Sequence, residues 1–241
     1  MQEELRAIAD NATWEVVDTP SDGNLITSKW VFKLKFDNNG ELERFKARLV
    51  ARGFNQKYGI DFGETFAPVL KIVSLRLIVA LAALWHAIIR QGDVPNAYLR
   101  AMLDRAIYMR APEGLKLPKG KSLRLLKSLY GLKQSGKLWN DEIHNYLLEL
   151  GFMRSKLDPC LYFRRSDGKL TVLGLYIDDV VVVSQRSCDT DWTMKMLGNQ
   201  FQIKDMGEAK KCLGICIEQS DSGIYLQQTA NIDQLLAKLG M

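Results

Sequence analysis

The most distinctive candidate site is the adjacent acid pair Asp178-Asp179, which lies within the segment TVLGLYIDDVVVVSQ at 171–185. Apolar and β-branched runs flank the pair on both sides, a pattern typical of a tight hairpin with the acids at its tip. Because an uncompensated buried carboxylate costs several kcal/mol, two acids on a buried hairpin need a partner, and a divalent cation is an economical one. The alternative is an ordinary turn, where Asp accepts hydrogen bonds from the backbone.

A third acid, Asp93, ends the apolar run AIIRQGD at the point where a core strand would emerge. If this strand lies beside the hairpin, three carboxylates converge, and hard oxygen ligands of this kind suit Mg²⁺. Two such ions about 3.5–4 Å apart promote phosphoryl transfer, because one activates a primer 3′-hydroxyl and the other neutralises the leaving pyrophosphate. In this chemistry the protein forms no covalent intermediate and needs no histidine as a base or nucleophile. The presence of only two histidines is therefore no objection to it.

Basic residues are concentrated in two segments of a chain whose formal net charge is +5. Residues 29–57 carry eight bases and three acids, a net +5, and residues 115–139 carry seven bases and no acid, a net +7. The remaining residues carry 18 bases and 25 acids, a net −7. This distribution attracts a polyanion and predicts salt-dependent nucleic-acid binding, although solvated strand and loop surfaces are the alternative for either segment alone.

Composition excludes several other classes of protein. With 47% apolar and 25% charged residues, the 241-residue chain is ordinary for a globular protein, and its longest mainly apolar stretch, 77–89, is shorter than the about 20 residues of a membrane-spanning helix. The first ten residues carry acids and no apolar run, so no secretory signal is expected. Four cysteines are too few to staple a chain of this length, which favours a reduced, intracellular protein.

Helices and hairpins alternate irregularly along the chain, which indicates an α+β fold rather than a doubly wound parallel sheet. A turn signal at Asp37-Asn38-Asn39-Gly40 joins two β-rich runs, a strand ends at Asp93, and KKCLGICIE is predicted to be one strand with Cys212 and Cys216 on the same face. The predicted helices are 3–9, 74–89 with Ser74 as its N-cap, 96–103, 137–150, 189–200 and the final segment NIDQLLAKLG.

The order of several motifs identifies a family resemblance. Asp93-Val94-Pro95-Asn96-Ala97-Tyr98 and, at a distance, Tyr176-Ile177-Asp178-Asp179 resemble polymerase motifs A and C of reverse transcriptases. The wider set resembles the copia-type branch of LTR-retrotransposon Pol polyproteins and covers essentially the whole chain: NATWEVVDTP, KWVFKLK, KARLVARGFNQKYGIDFGETFAPV, IYMRAPEG, SLYGLKQSGKLW, LYIDDVVVVS and LGICIEQ. Seven such motifs in the family's order and approximate spacing are highly specific.

The resemblance implies a right-hand polymerase architecture, with a palm of antiparallel sheet and helices, fingers, and a missing or partial thumb. The whole range 1–241 would be the reverse transcriptase core, with fingers at about 1–85 and 110–140 and a palm at about 86–109 and 141–241. The implied function is RNA-directed DNA polymerisation: nucleotidyl transfer from dNTPs to a primer on an RNA or DNA template, with two Mg²⁺ ions or Mn²⁺. The alternative is a catalytically inactive, truncated retrotransposon fragment that only binds nucleic acid.

The resemblance also implies a cellular context. The parent polyprotein would carry RNase H and integrase regions, and the chain resembles a fragment of that larger polyprotein. The expected location is a cytoplasmic virus-like particle or the nucleus, with no membrane partner.

Family positions can be transferred to residues of this chain. Asp93, Asp178 and Asp179 match the metal-binding catalytic carboxylates, and Val94 is expected to add a further metal contact. Tyr98 matches the aromatic ring that excludes a ribose 2′-hydroxyl; a core aromatic on a helix face is its alternative.

The remaining positions match contacts to the nucleotide or to nucleic acid. Lys46 and Arg48 match bases near the incoming triphosphate, a match for which Arg52 competes. The alternative is that these charges protect an exposed strand edge. Gly131 and Gln134 match dNTP contacts under the nascent base pair, with a helix cap as the alternative for Gln134. The expected nucleic-acid contacts are Arg52, Lys133, Tyr176, Leu213 and Gly214, the last two in a segment that resembles the primer grip.

The chain departs from the family pattern in three places. Gln91-Gly92 precedes the first acid, Pro95-Asn96-Ala97-Tyr98 stands where many members have Lys-Thr-Ala-Phe, and Gly136 stands where Pro is common. None of these changes removes an expected metal ligand.

Overall fold

The structure is a computed structural model that describes residues 1–36 and 41–240. The described residues divide into two compact units, each made of two chain segments. The first unit comprises Met1–Ala67 and Asn96–Ile143, and the second comprises Pro68–Pro95 and His144–Met241.

Helices and strands alternate in both units. The helices are α1 Gln2–Asp10, α2 Ile72–Trp85, α3 Ser135–Glu149, α4 Ser187–Phe201 and α5 Thr229–Leu239, with short 3₁₀ turns at Gly53–Asn55 and Ala97–Arg100. The strands are β1 Trp14–Asp18, β2 Leu25–Ile26, β3 Ser28–Phe36, β4 Leu42–Ala51, β5 Arg90–Asp93, β6 Met102–Met109, β7 Lys121–Lys127, β8 Met153–Arg154, β9 Leu161–Ser166, β10 Lys169–Tyr176, β11 Asp179–Ser184, β12 Lys204–Glu208, β13 Lys211–Cys212, β14 Ile215–Ser220 and β15 Gly223–Gln227. A mixed α and β fold is therefore confirmed.

The first unit contains one mixed sheet and a separate hairpin. The sheet has the strand order β1-β7-β6-β2, in which β7 pairs antiparallel with both neighbours and β2 pairs parallel with β6, while β3 and β4 form the hairpin. Apolar side chains from α1, the sheet and the base of the hairpin form its core and have no exposed surface, including Ile8, Ile26, Leu49, Ile107 and Leu123.

The second unit is built on an antiparallel sheet with the order β12-β5-β11-β10-β9-β8. The consecutive residues Val180–Val183 are all buried, and because successive strand residues point to opposite faces, both faces of β11 must be covered. Helices α2 and α4 both pack on β11. Gly174 on β10 allows α2 to lie this close, since a Cβ there would stand 2.7 Å from Ile78 Cδ1. A second sheet, β13-β14-β15, lies in the same unit.

Helix α2 begins and ends earlier than the predicted range of 74–89, and Ser74 is not its N-cap. The N-terminus of α2 is instead capped by Asp158, which is only 2% exposed. Its Oδ2 accepts hydrogen bonds from the Lys71 amide at 3.0 Å and from the Ser74 hydroxyl at 2.5 Å. A local pattern could not show this cap, because the capping residue is more than 80 positions away in the chain.

Two other predicted elements are wrong. After Pro95 the chain forms only the 3₁₀ turn and then β6, in place of a helix at 96–103. The segment KKCLGICIE is a hairpin rather than one strand, because Leu213 and Gly214 adopt φ values of 51° and 76° and form a turn. Cys212 and Cys216 consequently do not share a strand. The predicted turn at 37–40 lies outside the described residues.

The two units divide the chain at other residues than the predicted fingers and palm ranges, which stay predictions. Helix α2, expected in the fingers, packs on β10 and β11 of the second unit, and β6, expected in the palm, pairs with β7 of the first. Strand pairing and helix packing, rather than position along the chain, decide these memberships. Within the described ranges, no helix is long and apolar enough to cross a membrane.

Candidate active site

The ends of two adjacent strands bring two of the predicted metal ligands together. In the antiparallel pair β5–β11, Asp93 stands directly opposite Asp179. The Val94 amide donates a hydrogen bond to the Asp178 carbonyl at 2.8 Å, which extends the pairing beyond the ladder, and the Val94 side chain is buried. The two acids on this end of the sheet therefore share one face, because directly opposed residues of an antiparallel pair project to the same side.

The turn that joins β10 to β11 is strained. Tyr176 pairs with Asp179, so Ile177 and Asp178 are the two turn residues. Ile177 has a φ of 53° and is 38% exposed. A β-branched residue rarely adopts positive φ, and such strain of about 1–3 kcal/mol persists mainly at functional sites.

Asp179 lies in an electrostatic environment that favours a cation. Burial is the largest cause of its raised pKa, and the charge of Asp93 adds to the rise, whereas a hydrogen bond from Gln91 Nε2 at 3.2 Å lowers the pKa. The same nitrogen donates to the Lys211 carbonyl at 3.1 Å, so buried Gln91 ties Asp179 to β13. Burial and then the charge of Asp179 raise the pKa of Cys212 to about 11.

The donor set at this end of the sheet fits a hard divalent cation. Two opposed, partly buried carboxylates repel each other, and a cation bound to both would relieve that repulsion. Within the ranges that the structure describes, however, no group of three or more His, Cys, Asp or Glu side chains is arranged to hold a metal ion. The structure pairs Asp93 with Asp179, and the convergence of Asp178 with these two acids on one metal site stays a prediction. Asp178 occupies the turn, so strand pairing does not direct its side chain.

The β3–β4 hairpin of the first unit places like charges opposite each other. Lys33 faces Lys46, and Arg48 lies two residues further along the same face. Because like charges directly opposite each other destabilise a sheet, this face favours an anionic partner. Glu4 of α1 lies near the two predicted bases: burial raises its pKa, whereas a hydrogen bond from the Leu49 amide and then the charges of Arg48 and Lys46 lower it.

Tyr130 links two of the predicted nucleotide contacts. The Tyr98 ring packs edge-to-face against the Tyr130 ring, with 4.8 Å between centroids and 62° between planes. On the same Tyr130 ring, the Arg48 guanidinium carbon lies 4.6 Å from the centroid. Tyr98 is partly exposed, and its role against a ribose 2′-hydroxyl stays a prediction.

Gly131 and Gln134 have contacts within the first unit, and their contacts with dNTP stay predictions. Gly131 has a φ of 89°, and a Cβ there would stand 2.2 Å from the Ala51 carbonyl oxygen. The Gln134 side chain is 1% exposed; it donates to the Asp61 carbonyl at 2.8 Å and accepts from Gln56 Nε2 at 3.0 Å. The motif predicts a close approach to the backbone at Gly131, and in the structure the Ala51 carbonyl makes such an approach.

The residues expected to contact nucleic acid lie in both units. Arg52 and Lys133 are exposed in the first unit. In the second unit, Tyr176 is the last residue of β10, and Leu213 and Gly214 form the turn between β13 and β14. Their contacts with nucleic acid stay predictions.

A family model described as "Reverse transcriptase (RNA-dependent DNA polymerase)" matches residues 11–241 of the chain. The chain belongs to this family. The resemblance drawn from the order of the motifs is thereby confirmed.

Relatives of this reverse transcriptase chain are Pol polyproteins of plant transposons. It is 38% identical over 249 residues to the Retrovirus-related Pol polyprotein from transposon TNT 1-94 of Nicotiana tabacum, and 36% identical over 244 residues to the one from transposon RE1 of Arabidopsis thaliana. Each match covers 100% of this chain but only 18% and 17% of the respective polyprotein. A solved foamy viral protease-reverse transcriptase in complex with double-stranded DNA matches 96% of this chain and 36% of its own, with a TM-score of 0.47 and 11% identity.

Two further residues of this reverse transcriptase chain contact the predicted site residues, Gln91 and Tyr130. Gln91 precedes Asp93 by two positions, so the period-two alternation of a strand already placed both on one face. Tyr130 precedes Gly131 in the motif SLYGLKQSGKLW, but nothing in the sequence shows that its ring contacts both Tyr98 and Arg48.

Proposed function

We propose that the chain is the core of an RNA-directed DNA polymerase, which transfers nucleotidyl groups from dNTPs to a primer 3′-hydroxyl on an RNA or DNA template. The observation that carries this proposal is the pairing of Asp93 with Asp179 beside the strained turn at Ile177-Asp178. In this proposal the second unit acts as palm and the first as fingers.

The catalytic carboxylates are assigned to the second unit. Members of the family generally use a divalent metal. Mg²⁺ or Mn²⁺ would be held by the carboxylates of Asp93, Asp178 and Asp179 and by the Val94 carbonyl. Two bound ions supply charge neutralisation at the attacking and leaving oxygens. The protein's own part is to hold two carboxylates together through the register of β5 and β11, while Gln91 orients Asp179.

The first unit is assigned to the nucleotide. Lys46 and Arg48 project from a hairpin face on which like charges repel, and phosphate oxygens would relieve that repulsion. The Tyr98 ring would overlap a 2′-hydroxyl and so select dNTP over rNTP.

Template and primer are assigned to basic and turn residues of both units, which are Arg52, Lys133, Tyr176, Leu213 and Gly214. The proposed parent polyprotein also carries RNase H and integrase regions. The proposed location is a cytoplasmic virus-like particle or the nucleus.

Primer extension tests the proposal. Wild-type protein should incorporate labelled dTTP on poly(rA)/oligo(dT) with Mg²⁺, and Asp178→Asn should abolish incorporation. Asp221→Asn is the matched control, because Asp221 is also a hairpin-turn acid, between β14 and β15 of the same unit. Equal incorporation by wild type and Asp178→Asn would contradict the assigned role. Salt-dependent binding of the template without any incorporation would select the alternative, an inactive fragment that only binds nucleic acid.

A further inference from the structure

A short segment of the first unit, residues 53–66 after β4, presents large apolar side chains to solvent. Tyr58 is 79% exposed, and Phe54, Ile60 and Phe66 are also more than half exposed. Single exposed apolar residues are ordinary, but several within one short segment mark an interaction surface.

A buried network of hydrogen bonds holds this segment in place, so its rings are not exposed because the segment is loosely packed. Asp61 is 2% exposed, and its Oδ2 accepts hydrogen bonds from the Lys57 amide at 2.7 Å and from Asn24 Nδ2 at 2.5 Å. The Gln134 amide donates to the Asp61 carbonyl, as described above. From the other side, Arg105 Nη1 donates to the Gly59 carbonyl at 2.6 Å. The segment is therefore a preorganised surface.

Within this surface, two rings and a cation form a connected group, which we call the Tyr58 cluster: Tyr58, Phe62 and Lys133. The rings of Tyr58 and Phe62 pack edge-to-face, with 5.6 Å between centroids and 73° between planes. Lys133 Nζ lies 5.1 Å from the Phe62 centroid. Phe62 thus contacts both the Tyr58 ring and the Lys133 ammonium group, while Tyr58 stays largely exposed to solvent.

The charge around the Tyr58 cluster favours an anionic partner. Lys57 and Arg52 lie in or beside the same segment and are exposed, in addition to Lys133. The carboxylate of Asp61 is buried in its hydrogen bonds, and exposed Glu64 lies 3.9 Å from Lys137. An open aromatic face beside cations is the combination that binds single-stranded nucleic acid, in which bases stack on rings and phosphates pair with lysine or arginine. A duplex offers no unstacked base to such a ring.

We propose that the Tyr58 cluster is a binding site for single-stranded nucleic acid, in which a base stacks on Tyr58 and Lys133 contacts the adjacent phosphate. This inference rests on the proposed function and deepens it, because it names a contact for the unpaired part of a template. An acidic protein segment is the competing partner.

Fluorescence anisotropy with a labelled 16-nucleotide oligo(dT), in buffer with EDTA and without nucleotides, tests the inference on the whole chain. Tyr58→Leu, which keeps an apolar side chain but removes the ring, should raise Kd about five- to tenfold, whereas Tyr58→Trp should bind as tightly as wild type or tighter. Tyr225→Leu is the matched control, because Tyr225 is 59% exposed on β15 of the other unit, and it should bind like wild type. Lys133→Ala should reduce the slope of log Kd against log salt by about one.

Wild-type affinity of Tyr58→Leu, or equal weakening by Tyr58→Leu and Tyr58→Trp, would overturn the inference and leave an acidic protein segment as the partner. The melting temperatures of all variants should equal that of wild type, so that a change in Kd reports binding and not loss of folded protein. The assay is independent of primer extension, so Tyr58-dependent binding by a protein that extends no primer would refute only the polymerase. Conversely, wild type that extends primers while Tyr58→Leu binds oligo(dT) normally would refute only the Tyr58 cluster.

Discussion

Asp179→Asn should make the metal-free protein more stable while it removes a metal ligand. Asparagine keeps the shape of the side chain and can accept the hydrogen bond from Gln91, but it carries no charge opposite Asp93. Cβ atoms of directly opposed residues lie about 5 Å apart. Two unit charges at ~5 Å interact by about 3 kcal/mol at an effective dielectric constant of ~20 and by about 0.8 kcal/mol at ~80. Because both side chains are only partly buried, we expect a gain of about 1–2 kcal/mol.

Thermal unfolding with EDTA and with Mg²⁺ measures this effect. For a chain of this size, the expected gain raises the Tm of the metal-free variant by about 3–6 °C. Mg²⁺ at about ten times its Kd should stabilise wild type by about 1.4 kcal/mol, and Asp179→Asn should lose most of this shift. The raised pKa of Asp179 means that metal-free wild type loses stability as pH rises through the titration range of that carboxyl. The advantage of the variant should therefore shrink at acidic pH, where protonation removes the same charge.

Asp205→Asn on the neighbouring strand is the control with the opposite sign. Burial raises the pKa of Asp205, but a hydrogen bond from Arg90, then the Gly207 amide and the Arg90 charge, bring it below its usual value. Removal of this charge should lower stability and leave the Mg²⁺ shift unchanged. A metal-free Asp179→Asn protein that melts below wild type, or that keeps the full Mg²⁺ shift, would refute the repulsion between Asp93 and Asp179 and its relief by a cation.

Three further substitutions test contacts elsewhere. Gly131→Ala should lower the free energy of unfolding by about 2 kcal/mol or more, because a Cβ would meet the Ala51 carbonyl at 2.2 Å and φ is 89°; an unchanged urea midpoint would contradict this close approach. Tyr130→Leu should raise KM for dNTP about fivefold with little change in kcat, since Arg48 loses a cation–π contact of about 1 kcal/mol, and Tyr130→Phe should restore KM; equal KM values for the two variants would argue against a positioning role. Asp158→Asn should cost about 2–3 kcal/mol at pH 7, because the cap of α2 is a charged acceptor. Burial raises the pKa of Asp158, but its hydrogen bonds hold the pKa below the usual value, so this cost should fade as pH falls below about 4; a urea-midpoint difference that is constant from pH 7 to pH 2 would contradict it.

Local patterns in the sequence are sufficient to predict the hairpin that carries the acids. The turn lies one residue earlier than the predicted tip, at Ile177-Asp178 rather than at Asp178-Asp179, so Asp179 is the first residue of β11. The two strands of the hairpin and the strand end at Asp93 agree with the predictions from their apolar runs. These features were predictable because a period-two pattern and a turn signal depend only on neighbouring residues.

Contacts between distant segments were not predictable in this way. The cap of α2 comes from Asp158, and the conformation of Gly131 is required by the carbonyl of Ala51, far away along the chain. Helix α2 belongs to the second unit because Gly174 leaves room for its side chains against β10. Each of these contacts joins residues whose separation in sequence hides them from any local pattern.

The sequence alone determined the family, through motifs in a specific order, and it determined which acids are candidates for metal binding. Only the tertiary structure decided that Asp179, rather than Asp178, stands opposite Asp93. The physical reason is register: a shift of one residue between β5 and β11 would exchange the two faces of the strand, and the register is set by burial of β11 under α2 and α4.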